Sequence, residues 1–145
     1  MQDNRLYSFL ALAGASPLVA CAVLLVDGVE TIPGFGSLDV LACSYGLAIV
    51  SFLAGAHWAT YMFKQSETPF NLFVSSNVVF LAVWFAFVLA SLDVALLTQV
   101  LAFLFLLFVD HRMLLSGLIS RNYFQVRATA TALAVASLLA IVIVH

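Results

Sequence analysis

Five runs of about 20 mostly apolar residues alternate with short polar breaks, at residues 7–26, 40–63, 70–90, 94–113 and 123–144. A helix of about 20 apolar residues is long enough to cross a hydrocarbon core about 30 Å thick, so each run predicts one membrane span. The breaks read "DGVETIPGFGSLD", "KQSETP", "SLD" and "LLSGLISRN". The first combines Gly and Pro with acids, the composition of a surface turn. The third is the shortest, so the start of the fourth helix is the least defined. No repeat period or low-complexity tract interrupts the series. The expected fold is all-α: a polytopic bundle of five transmembrane helices in a single integral membrane domain, residues 1–145.

Composition explains why lipid must be the solvent. Of 145 residues, 65% are hydrophobic and 8% charged, against about 45–50% and about 25% in soluble domains. The chain has no basic patch of the kind that neutralises phosphates, which argues against nucleic acid as a partner. The net charge of −2 matters less than where the cations fall. Arg5 precedes the first span, Lys64 follows the second, and Arg112, Arg121 and Arg127 surround the fourth break. The other two breaks carry Asp27, Glu30, Asp39 and Asp93 and no Lys or Arg. Cationic loops stay on the cytoplasmic side. Five spans therefore predict an N-terminus inside and His145 outside, in a bacterial inner membrane or a mitochondrial one.

Cys21 and Cys43 are too few for a disulfide framework. They read as small apolar residues, with a bridge near the outer face as the alternative. "LVAC" at 18–21 matches a lipoprotein cleavage box. The apolar run continues through "AVLLV" with no polar start to a mature chain, which favours an ordinary span.

Helices in lipid approach closely where side chains are small. Ser51, Gly55 and Ala59 form such a stripe on the second span, and Ala128, Ala132, Ala136 and Ala140 another on the fifth. Pro17 in the first span frees a carbonyl four residues earlier, which Ser16 can help to satisfy. A compact bundle follows, with a hinge at Pro17 as the sharper alternative.

Candidate chemistry lies in the polar residues inside the spans, because an ionisable group at mid-membrane costs at least about 2.5–3.5 kcal/mol. His57 stands about 27 Å along its helix from Asp39, and Asp110 about 25 Å along its own from Asp93. Both therefore approach the inner face at similar depth. Asn77 lies about 12 Å in from Pro69. A polar cluster of His57, Asn77, Asp110 and His111, with Arg112 or Arg127, is geometrically available in the inner leaflet. In the alternative, Arg112 snorkels to the headgroups, His111 sits at the interface, and Asp110 pairs with an arginine. His57, His111 and Asp110 are a minimal two-His-one-carboxylate set, but no metal-ligand spacing accompanies them. No catalytic motif, metal site or cofactor is assigned.

Two blocks, "YGLAIVSFLAGAHWA" and "VDHRMLLSGLISRNYFQVR", resemble a family of small inner-membrane proteins of unknown function. That family occurs in proteobacteria and includes the mitochondrial transmembrane protein 69. The positions carrying the resemblance are Tyr45, Gly46, Ser51, Phe52, Gly55, His57, Trp58, Asp110, Arg112, Tyr123 and Arg127, with Pro17 in "GASP". Asn122 departs from the Pro or Trp of the family pattern. The resemblance implies a helical bundle and no particular activity.

Three functional readings remain. The first is a non-enzymatic accessory or assembly protein, with the bilayer, a membrane-protein partner or a second copy as partners. The second is a small transporter or proton conduit using Asp110 and His57, although no inverted repeat is present. The third is an enzyme acting on a lipid or quinone.

Overall fold

The computed structural model describes residues 2–145, with side chains from Arg5 onward. Five helices occupy the five apolar runs: α1 (Gln2–Val26), α2 (Leu38–Lys64), α3 (Leu72–Leu89), α4 (Leu92–Leu115) and α5 (Arg121–Val144). All five are long and apolar enough to span a membrane. Large apolar side chains such as Phe9, Phe52, Phe63 and Leu101 cover the outside, as expected of a surface that meets lipid rather than water.

The helix ends depart from the apolar runs where local chemistry overrides hydropathy. Helix α3 begins at Leu72 because Asn71 caps it, its Oδ1 accepting from the amides of Phe73 and Val74 at 3.0 and 3.2 Å. Ser120 caps α5 in the same way, accepting from the Tyr123 amide at 3.2 Å, which places Asn122 inside the first turn. Helix α4 ends at Leu115, and Gly117, with φ 76°, closes a Schellman motif just beyond it. The Leu118 amide bonds to Met113 O and the Gly117 amide to Leu114 O.

The first break folds as a two-stranded hairpin, β1 (Thr31–Ile32) against β2 (Gly36–Ser37). Pro33 and Gly34 make its turn: Gly34 takes φ 86°, and the Phe35 amide closes onto Ile32 O at 3.0 Å. Strands of two residues carry no readable period, so only the turn was visible in the sequence.

Neighbouring helices form a closed ring, with each helix packed on the next and α5 packed on α1; α2 also meets α4 across the middle. The core along this axis includes Leu18, Ala42, Val50, Leu96, Phe103 and Leu138. Pro17 lies within α1 and is exposed. The Ser16 hydroxyl donates to Ala13 O at 2.7 Å, the carbonyl that Pro17 leaves without its amide. The Tyr45 hydroxyl donates to Gly14 O at 2.8 Å, tying α2 to the next residue of α1.

The small-residue stripe on α2 faces away from the core. Gly55 and Ala59 are exposed and Ser51 is half-buried, so that stripe is not a principal helix–helix seam within one chain. Close approach is made instead at Gly46, where a Cβ would overlap Oε1 of Gln99 on α4. Gln99 is fully buried, and its Nε2 donates to Cys43 O at 2.7 Å. Cys21 and Cys43 are both free and buried.

Gly46→Ala is expected to lower stability by about 1–3 kcal/mol, the usual result of overpacking a filled site. In a Gln99→Ala background the same change should cost almost nothing. Reversible unfolding in mixed micelles, followed by circular dichroism, measures both, and an equal cost in the two backgrounds would separate Gly46 from Gln99.

Candidate functional site

Three helices converge on one carboxylate. Asp110 lies five residues before the last residue of α4, His57 on the second half of α2, and Arg127 about 9 Å along α5 from Arg121. The antiparallel course of the ring brings all three to one depth. Asp110 Oδ1 is 2.7 Å from His57 Nε2. Oδ2 accepts from Arg127 Nε at 2.9 Å and lies 2.9 Å from Nη2. Asp110 is 0% exposed, His57 4% and Arg127 7%, so water solvates none of them appreciably.

The partner atoms determine the chemistry. An ionised carboxylate only accepts hydrogen bonds, so His57 presents its Nε2–H to Oδ1. Arg127 supplies the compensating charge. Both carboxylate oxygens are engaged, Oδ2 by two guanidinium nitrogens and Oδ1 by the imidazole. A histidine and a carboxylate already joined to a guanidinium are also poor metal ligands, because the site's third member is a fixed cation. Among the described residues no three His, Cys, Asp or Glu side chains gather as a metal-binding group.

The other candidates lie elsewhere. Asn77 is exposed on α3, and its side-chain amide donates to Phe73 O at 2.8 Å within its own helix. His111 is exposed and packs on Phe124 with ring centroids 5.6 Å apart. Arg112 is exposed near the end of α4. The periodicity of α4 anticipates this split, since successive residues such as Asp110 and His111 point about 100° apart. Of the two candidate arginines, Arg127 joins Asp110.

Beside the triad, Tyr7 on α1 stacks on Tyr123 on α5, with centroids 5.0 Å apart and planes 15° from parallel. The buried Tyr7 hydroxyl lies near that of Tyr123 but meets hydrogen-bond geometry with no described residue. Sequence reasoning passed over Tyr7, whose place at a span end reads as an ordinary interfacial aromatic. The pairing of α1 with α5 is what makes it part of the site.

A ring of apolar helices locked by a buried acid–base triad defines the class: a multi-pass membrane helical bundle. The chain belongs to the protein family of unknown function DUF3429, whose sequence pattern matches residues 4–143. No curated protein and no solved structure matches it.

Relative magnitudes rank the triad's members. Neutral interhelical hydrogen bonds in membranes average about 0.6 kcal/mol, whereas stranding one member of a buried ion pair costs about 3–5 kcal/mol. Asp110→Asn and Arg127→Leu should therefore each destabilise the bundle by about 3 kcal/mol, and His57→Phe by about 1 kcal/mol or less. The double variant Asp110→Leu/Arg127→Leu should cost less than either single one, because neither charge is stranded. Unfolding in mixed micelles ranks all four, and strict additivity would show that the two residues act separately.

Proposed function

We propose that this protein is a non-catalytic accessory or assembly protein of its membrane, in which the His57–Asp110–Arg127 triad fixes the bundle rather than turning over a substrate. The observation carrying this reading is that both oxygens of the buried Asp110 carboxylate are engaged. A proton carrier needs a carboxyl that can release its charge and a path on both sides. Here His57 and Arg127 already engage both oxygens, and of the other buried polar side chains on α4 and α5, Gln99, Thr131 and Ser137, none is hydrogen-bonded to the triad. The breaks between helices are short turns and a two-stranded hairpin, so recognition would be made by helix faces within the bilayer.

The cation distribution supports an N-terminus on the cytoplasmic or matrix side, and the kinship suggested by the two motif blocks favours a bacterial or mitochondrial inner membrane. The exposed Gly55 and Ala59, with the half-buried Ser51 on the same stripe, are available for a partner helix or a second copy of the chain.

The His57–Asp110 contact keeps a second reading alive, since a histidine 2.7 Å from a carboxylate is a geometry in which protons move. Protein reconstituted into vesicles containing a trapped pH dye should pass protons no faster than empty vesicles do, with Asp110→Asn giving the same trace. Native mass spectrometry from polymer-excised nanodiscs should show a protein partner at fixed stoichiometry. Flux that Asp110→Asn abolishes, without a partner, would replace the accessory role with a conduit.

A further inference from the structure

Helices α1, α2 and α5 enclose a groove of about 400 Å³, within the range of about 300–1,000 Å³ typical of small-molecule sites. Its polarity is divided along its length. Tyr7, Tyr123 and Arg127 line one end. The walls then run for about 16 Å, the rise from Tyr7 to Leu18 and from Tyr123 to Ala134, past small and apolar residues. Because α1 and α5 begin beside that polar end, it lies toward the membrane face and the apolar end toward mid-bilayer. The groove therefore has the form of a slot for one amphiphile with its head at the interface.

The donor set indicates what kind of head. The Tyr7 hydroxyl is buried without a hydrogen-bond partner among the described residues. Arg127 uses Nε and Nη2 on Asp110, leaving Nη1 unengaged by the carboxylate. These groups donate, yet the local charge is cancelled, because Asp110 neutralises Arg127. Arg5 and Arg121 are exposed outside the lining, so a phosphate inside the groove would meet no net positive charge from its walls, whereas an uncharged carbonyl oxygen would meet hydrogen-bond donors. The Tyr7–Tyr123 stack adds a flat aromatic wall, and the slot has room for a single tail.

We propose that this groove binds a lipid quinone, its ring carbonyl accepting hydrogen bonds from Tyr7 and Arg127 and its single isoprenoid tail lying between α1 and α5. The site is independent of the accessory role, and neither requires the other.

The test uses the full chain in dodecyl maltoside, a detergent without carbonyl groups, with decylubiquinone as the probe. Binding is read by microscale thermophoresis and by the shift in melting temperature. Saturable binding at one site per chain is expected, weakened about 5-fold in Tyr7→Phe, which keeps the stacked ring and loses the donor. Gly14→Leu should weaken binding at least 10-fold while leaving the ligand-free protein folded. Gly14 lines the groove, and a Cβ there would meet nothing within 4 Å. If that variant does not fold, Ala130→Leu fills the same space from α5. The proposal is overturned if decylubiquinone fails to saturate below its solubility limit. It also fails if the filled variant binds as well as the wild type, or if dioleoylglycerol or phosphatidylglycerol displaces the quinone at equal concentration, which would make the groove a general acyl-chain slot.

Discussion

A carboxylate inside a membrane protein has to be surrounded by donors, because no water is present to solvate it. Asp110 obtains those donors from two other helices, His57 on α2 and Arg127 on α5. That requirement ties α2, α4 and α5 together at one depth and one rotation. Apolar packing in lipid cannot do this by itself, since helix faces and lipid tails are equally apolar. The other polar contacts add constraints. Tyr45 fastens α2 to α1, Gln99 fastens α4 to α2, and the Tyr7–Tyr123 stack fastens α1 to α5. Each is a directional contact in a protein whose remaining contacts are largely non-directional.

The two polar contacts between α2 and α4 lie toward opposite ends of those helices. Gln99 meets Cys43 near the start of both, and Asp110 meets His57 near the end of both. Two fixed points define a line, so α2 and α4 can neither slide nor rotate against each other without breaking one of them. Gly46 allows this approach by omitting a side chain opposite Gln99.

The spans were legible in the sequence because their length and apolarity are properties of single segments, and all five helices lie where those runs stand. The depth of His57 and Asp110 was legible for the same reason, as a count of residues along a helix. The choice between Arg112 and Arg127 was not, because it depends on how α5 is rotated against α4. The stripe of Ser51, Gly55 and Ala59 marks a face that permits close approach but does not say to what, and in one chain Gly55 and Ala59 are exposed while Ser51 is half-buried beside α3. Gly46 and Gln99 were each visible, but their relation requires knowing that α2 and α4 meet across the ring. Asn71 and Ser120 moved the helix starts because a cap is worth more locally than one more apolar residue.

The closure of the ring by α5 against α1 has a consequence for how the protein is made. Synthesis runs from the N-terminus, so Arg127 is the last member of the triad to be joined, 17 residues after Asp110. Until α5 docks, the imidazole is the one triad partner available to the acid. The last helix then performs two tasks in one docking event: it brings the missing cation and seals the first helix into the bundle. A product cut short before α5 would therefore retain both an acid without its arginine and a first helix without its closing neighbour.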